Sequence, residues 1–315
     1  MTVFDWIAQL LGTVVSVLAA PLFLGWVNQC RAWLQNKSAP PLMQPYRGIR
    51  KLFYKDAVIA SNASQLFGLA PYVVFAAMVT AAAIVPSIAT RLPFTRAADA
   101  IALVGLFATA RVFVSLAAMD VGTAFGTLGA RREMMIGFLA EPALLMIIFV
   151  AALISTSTAL PAISELLATQ TLALYPSLAF TAVAFTMVLL AENARIPIDN
   201  PATHLELTMI HEAMLLEYSA RHLALMEWAA ALKLFNYVCI GLALFVPWGL
   251  TTQQAPLALA TSALLLGAKL AVAGAGIALI ETVSAKLRVF RAPEFLATAF
   301  LLAVLGLLVH LLLGA

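Results

Sequence analysis

The sequence predicts an all-α polytopic membrane protein with about eight transmembrane helices, both termini on the outer side of the membrane, and cytoplasmic loops forming a docking face. Three observations predict it. Hydrophobic residues make up 63% of the 315 and charged residues only 10%, with a mean hydropathy of +0.99, outside the range of soluble globular domains. Apolar runs long enough to cross the ~30 Å hydrocarbon layer recur along the chain. Lys and Arg are divided very unequally between alternate connections.

The chain reads as a single integral membrane domain, 1–315. Its first run, 3–26, is too long for a secretory signal, is preceded by too few basic residues and lacks a small-residue cleavage site, so it is expected to remain as a helix. The loop at 27–67 mixes aromatic, basic and proline residues between Gln29 and Asp56; this part is expected to lie along the interface as a partly helical shelf. Runs at 68–90 and 99–119 follow, the second carrying Arg111. A loop at 120–133 leads to 134–157, with Glu141 about two turns inside. The fifth run, 173–191, opens into a loop at 192–222. Runs at 223–249, 257–281 and 295–314 complete the set, with a loop at 282–294.

An even number of spans puts both termini on one side. The connections starting at 27, 120, 192 and 282 then share a face that holds Arg31, Lys37, Arg47, Arg50, Lys51, Lys55, Arg131, Arg132, Arg195, Arg221, Lys286, Arg288 and Arg291. The opposite face holds Arg91 and Arg96. The positive-inside rule makes the first face cytoplasmic.

Several classes of function are disfavoured at this stage. Basic residues are not gathered in a soluble domain, so nucleic acid is not an expected partner. Cys30 and Cys239 are far apart and without metal-type spacing, giving no metal site and no disulfide framework. The two halves show no matching pair of broken helices, which weighs against a transporter. Met134, Met135, Met209, Met214 and Met226 are expected to pack or meet partners rather than bind copper. His310 is expected at an interface, and Trp26, Trp33, Trp228 and Trp248 in an aromatic belt.

Arg111, Lys233 and Lys269 fall inside expected spans, and Glu141, Glu227 and Glu281 lie at or near span ends. A charge at mid-bilayer costs roughly 2.5–3.5 kcal/mol even on insertion scales. Such residues need a partner or a wet cavity. Singly, each can be structural glue. Glu192, Glu227, Lys233 and Glu281 are expected at one level, where they could form a proton relay.

The stretch AENARIPIDNPATHLELTMIHEAMLLEYSARH, 191–222, concentrates Glu192, Arg195, Asp199, Glu206, Glu212, Glu217 and Arg221 with three histidines. Pro197 and Pro201 make its first part a rigid connection. Its second part reads as an amphipathic helix with Glu206, Ile210, Ala213 and Glu217 on one face and His204, His211 and Glu212 around the cylinder.

This stretch resembles the loop of the membrane subunit shared by respiratory complex I, where it is subunit 1, and the group 4 energy-converting nickel–iron hydrogenases of the formate hydrogenlyase and hydrogenase-4 kind. PPLMQPYRGIRKLFYKD, 40–56, and GTLGARREMMIGFLAEP, 126–142, agree with that family, in its order. NPATHLELTMIHEA and GARREM are similar to the hydrogenase branch. The chain departs from the complex I pattern in having Ala202 and His204 where two acids stand, and in a loop about one helical turn longer. It also has Lys37, Ser38, Ala39 and Pro40 where the family often shows an Arg-x-Gly-Pro element.

The resemblance implies a subunit of a bacterial or archaeal cytoplasmic membrane that docks hydrogenase large-subunit-like and iron–sulfur proteins and joins them to antiporter-like membrane subunits. Docking would use Gln44, Pro45, Tyr46, Arg47, Arg50, Lys51, Arg131, Arg132, Glu133, His204 and His211. Coupling of redox chemistry to protons would use Glu192, Arg195, Asp199, Glu206, Glu212, Glu217, Glu141, Lys233, Glu281 and Arg111. The chain is expected to hold no cofactor itself. Iron–sulfur clusters, and in the hydrogenase branch a nickel–iron centre, belong to partner subunits. Three alternatives stand beside this reading. One is a quinone-reactive or nickel-free relative; another is a free-standing transporter binding an anion at Arg111 and Lys269; the third is an inert anchor.

Overall fold

The computed structural model describes residues 3–88, 90, 93–96, 99–169, 176–199, 209–251 and 256–313. Among these residues the chain is helical, with a lone bridge between Asp99 and Ala159. The helices are α1 (Val3–Leu34), α2 (Gln44–Phe53), α3 (Gln65–Ile84), α4 (Ala100–Asp120), α5 (Ala124–Ser155), α6 (Leu160–Thr169), α7 (Pro176–Glu192), α8 (His211–Leu215), α9 (Ala220–Phe245), α10 (Pro256–Val283) and α11 (Ala292–Leu313). Seven are long and apolar enough to cross a membrane: α1, α3, α4, α5, α9, α10 and α11. The expected fifth span is α7, apolar but 17 residues long; at 1.5 Å per residue it reaches about 26 Å. The molecule is a polytopic membrane protein.

Prolines and caps set the helix ends. α3 stops six residues short of the expected 90 because Pro86 holds Val85 extended, at ψ 122°. α9 stops at Phe245, two residues ahead of Pro247. The Ser64 hydroxyl accepts the N–H of Leu66 at the start of α3, while the Asp120 carboxylate accepts the Ser64 N–H at 2.7 Å. Gly122, at φ +73°, makes the α4–α5 turn, and a Cβ on Gly126 would stand 2.7 Å from the Ala118 carbonyl. That close hairpin starts α5 ten residues before the expected 134, so Arg131, Arg132 and Glu133 ride on its first turns instead of on a loop.

The amphipathic helix expected through 202–220 is corrected over its described part, 209–219. Residues 200–208 lie outside the described structure, and after them only His211–Leu215 is helical. Ile210, Met214 and Tyr218 are buried. Tyr218 stacks on Phe67 with ring centroids 4.1 Å apart and donates to the Phe67 carbonyl, which turns the chain sharply into α9. Burial of the apolar side thus overrides continuation of the helix.

α9 is the central helix, with 67% of its apolar window buried, against 17% for α10. It packs on α1, α3 and α7, while α4–α5 lies against α3 and α7–α11, and α10 leans on α1. Apolar area alone gives little drive for helix association in lipid, so close backbone approach matters. The interfaces supply it through Ala70, Ala81, Ala117, Ala130, Ala140, Ala184 and Ala224, all buried. Trp26 and Trp228 act as interhelical ties, donating to the Ala271 and Val17 carbonyls; Trp33 and Trp248 stay half-exposed.

Connections gather at two ends. At one, Val58 bonds Ser219, Ser64 bonds Asp120, and the Leu287 N–H donates to Pro197 O. At the other, Thr90 pairs with Thr251 and Ala100 with Thr158. Gln9 of α1 donates to Ala83 at this second end, and Gly306 of α11 lies against Ser177 at the start of α7.

Candidate functional site

Arg111 is the hub. It sits on α4 with its side chain 5% exposed, and its guanidinium reaches three carboxylates. Nη1 meets Glu141 Oε1 at 2.7 Å, Nη2 meets Glu192 Oε1, and Nε lies 3.6 Å from Glu133 Oε1. Glu192, the last residue of α7, also takes Lys233 Nζ of α9 on its other oxygen, at 3.0 Å. Lys233 in turn lies 6.0 Å from the ring centre of Tyr237, which is buried and stacked on Phe107.

The sequence prepares this hub at α5. Glu133, Gly137 and Glu141 are four residues apart, so they form one stripe along the helix. A Cβ on Gly137 would lie 2.8 Å from Arg111 Cδ and 2.9 Å from Cζ. The absent side chain is the space in which the guanidinium lies between its two glutamates. With every group ionised, Arg111 and Lys233 face Glu133, Glu141 and Glu192, a formal charge of −1. Uptake of one proton makes the cluster neutral. Glu141 is its most exposed member, with a side chain 35% exposed.

A cavity of about 40 Å³ borders the cluster, walled by Arg111, Glu133, His211 and Lys233 with Met78 and Met226. The rest of the wall is apolar, but its four ionisable residues can partner a water, and a space of that size has room for one. It is far below the ~300 Å³ of a small-molecule pocket, so quinone does not fit within it.

A second group holds the loop. Glu281 of α10 pairs with Arg195 at 3.0 Å and Arg31 at 3.5 Å. Asp199 accepts the backbone N–H groups of Ile210 and His211, each at 3.2 Å, and meets Lys286 Nζ at 3.2 Å. Arg132 donates to the Met209 carbonyl at 2.8 Å. Arg195, Asp199 and Ile198 are buried, so this charged loop is tucked into the bundle rather than solvated.

The expected single cluster of Glu192, Glu227, Lys233 and Glu281 is therefore corrected. Glu192 and Lys233 belong to the Arg111 hub, Glu281 to the loop group, and Glu227 is exposed. Glu133, expected to dock a partner, is 8% exposed and belongs to the hub; His211, expected beside it, lines the cavity. Gln44, Arg47, Arg50, Lys51 and Arg131 are exposed, Pro45 partly so. The Tyr46 hydroxyl donates to the Leu18 carbonyl, tying α2 to α1. Glu212 and Glu217 are partly buried around α8, whereas His204 and Glu206 lie outside the described residues. Gly137, Arg31 and Lys286 were not among the site residues expected from sequence; the four-residue glutamate–glycine–glutamate spacing was the available signal for the first.

Lys269 has a different task. Its ammonium donates to the carbonyls of Val246, at 2.6 Å, and Trp248, closing the C-terminal end of α9 where unpaired carbonyls collect. Lys233 and Val246 are thirteen positions apart in the sequence, about 20 Å along a helix. Arg111 and Lys269 thus do not converge, and Arg111 already meets three carboxylates, which removes the anion site supposed for a transporter. Among the described residues no three His, Cys, Asp or Glu side chains are placed to hold a metal. Cys30 and Cys239 are buried and free. The described residues do not fit an iron–sulfur cluster or a nickel–iron centre.

The family described as NADH dehydrogenase matches residues 7–312. The chain is similar to hydrogenase-4 component C of Escherichia coli K12, with 35% identity over 250 residues, 79% of this chain and 78% of that one. It is also similar to formate hydrogenlyase subunit 4 of the same organism, with 31% identity over 291 residues, 92% of this chain and 94% of that one. Among solved structures, a chain of the membrane-bound sulfane sulfur reductase, an archaeal respiratory membrane complex, superposes with a TM-score of 0.82. The match covers 96% of this chain and 98% of that one at 19% identity, and so shows a shared fold.

Proposed function

The chain belongs to the NADH dehydrogenase family, and from this membership and the buried hub at Arg111 we propose that it is the docking and proton-coupling subunit of a redox complex of the group 4 nickel–iron hydrogenase kind. Its relatives are membrane subunits of multisubunit respiratory and hydrogenase complexes. In this reading the loop end faces the cytoplasm and carries the iron–sulfur and large subunits on the exposed Arg47, Arg50, Lys51 and Arg131. Antiporter-like subunits adjoin it in the membrane.

The observation that carries the proposal is the arrangement of three carboxylates around two cations beside a cavity with room for water. A structural ion pair needs matched charges. This cluster has one acid more than it balances, a cavity to deliver a proton and one half-exposed carboxylate, Glu141, to release it. Redox change in the docked subunits alters the field at Asp199, Arg195 and Glu192. Moving one charge against 100 mV costs about 2.3 kcal/mol, which a carboxyl whose pKa moves by about two units supplies at 1.36 kcal/mol per unit.

The experiment is capture of the native assembly through a tag on this chain in mild detergent, with subunits identified and iron and nickel measured. Large and iron–sulfur subunits with both metals support the hydrogenase assignment. Iron without nickel moves the assembly to a quinone-linked or nickel-free relative, with quinone seated between this chain and a partner. A lone chain without metal overturns the docking role.

A further inference from the structure

We propose that His211 is the proton-carrying link between the Asp199 loop and the Arg111 hub. The inference rests on the proton-coupling role given above and names the residue through which the loop would communicate with it.

Among the described residues no ion pair joins the loop group of Asp199, Lys286, Arg195, Glu281 and Arg31 to the hub of Arg111, Glu133, Glu141, Glu192 and Lys233. His211 touches both. Its backbone N–H donates to Asp199 Oδ2 at 3.2 Å, fixing the first residue of α8 beside the carboxylate that also meets Lys286. Its imidazole forms part of the cavity wall shared with Arg111 of α4, Glu133 of α5 and Lys233 of α9.

A histidine that only fills space in a core has its ring nitrogens bonded to the protein. Among the described residues, neither ring nitrogen of His211 bonds a protein atom, and His211 borders a cavity with room for water beside Arg111, Glu133 and Lys233. Gly129 shows how closely α8 is held. A Cβ there would lie 2.8 Å from the Ile210 carbonyl and 2.9 Å from Ala213 Cβ, so α8 is seated directly on α5. The backbone of α8 that carries the ring is thus fixed by packing on one side and by Asp199 on the other.

The charged neighbours define the ring's state. Burial lowers its pKa below the ordinary 6.5, Glu133 and Asp199 pull it up, and Lys233 pushes it down. At neutral pH the ring is uncharged, with one nitrogen donating and the other accepting. A proton arriving on the accepting nitrogen from the Asp199 side is balanced by release of the other ring proton to cavity water and thence to Glu133. No electron or leaving group is involved.

The test uses the native assembly in liposomes, driven by reduced methyl viologen with protons or a quinone analogue as acceptor, and reads protons moved per electron. His211→Ala and His211→Gln should each lower that ratio by about tenfold or more. Added imidazole should restore it in His211→Ala, whose cavity it can enter, and not in His211→Gln. A wild-type ratio in either variant overturns the link, and so does a loss in His211→Ala that imidazole fails to restore. Glu192→Gln in the same vesicles separates the two claims. If Glu192→Gln loses translocation and the His211 variants keep it, only the link falls; if all keep it, the coupling role itself falls.

Discussion

Arg111 and Glu192, 81 residues apart in sequence, form a buried ion pair in which the carboxylate side chain is 1% exposed and its second oxygen is held by Lys233. The pair joins α4 to the last residue of α7, at the point where the charged loop begins. The atoms that tie these helices together are therefore the ones to which the proposal assigns the proton chemistry.

Replacing Arg111 by Met leaves three carboxylates facing Lys233 alone. Removing one partner of a buried pair costs roughly 3–5 kcal/mol. Arg111→Met should lower thermal stability in detergent sharply, and Arg111→Met combined with Glu192→Gln should recover a measurable part of it. A double-mutant cycle reads the coupling; strict additivity would contradict the pairing.

Gly137→Ala tests the hub without touching a charge. The new methyl would stand where the Arg111 side chain lies, and overpacking of this kind costs roughly 1–3 kcal/mol. Reduced thermal stability and reduced proton translocation are expected together. Gly105 and Gly276, beside which a Cβ meets nothing within 4 Å, serve as controls and should tolerate Ala.

His211 gives the fold a defined acid sensitivity. Its folded pKa is lowered, chiefly by burial, so the unfolded chain binds more protons in the window between that lowered value and 6.5. Stability rises with pH across the window and is lost as pH falls through it. Melting temperatures between pH 5 and 7.5 should show this slope in the native protein and a flatter one in His211→Gln.

Tyr218→Phe removes the hydroxyl that donates to the Phe67 carbonyl at 3.1 Å while keeping the stacked ring. The loss should be about 1 kcal/mol. Tyr218→Ala should cost about 3–5 kcal/mol, because an aromatic ring also leaves the core. Burial already holds the Tyr218 hydroxyl above its usual pKa, so neither effect should change between pH 6 and 9.

Much of the fold was legible because hydropathy and proline report on local chain properties. Val3–Leu34, Ala100–Asp120 and Ala292–Leu313 follow their apolar runs within a few residues at most ends, with α1 the exception at its close. The charges in the spans were also visible one by one. Their pairing was not, since hydropathy carries no information on how a helix is rotated toward its neighbours. Glu281 and Glu192 looked alike in sequence, yet one faces Arg195 and the other Arg111. Glu133 read as a loop residue because a charged triplet, Arg131 to Glu133, looks solvated until α5 is seen to start at Ala124. The break between Leu215 and Ala220 depends on Tyr218 finding Phe67, 151 residues away, which no local pattern encodes.

The central claim is that the Arg111–Glu192–Lys233 cluster moves protons when its redox partners turn over. The measurement that meets it most directly is the number of protons translocated per electron by the intact assembly in sealed vesicles, with native chain and with Glu192→Gln at equal content of assembled complex. The account predicts that translocation collapses in Glu192→Gln while electron transfer in uncoupled vesicles persists. An unchanged ratio of protons to electrons would contradict it.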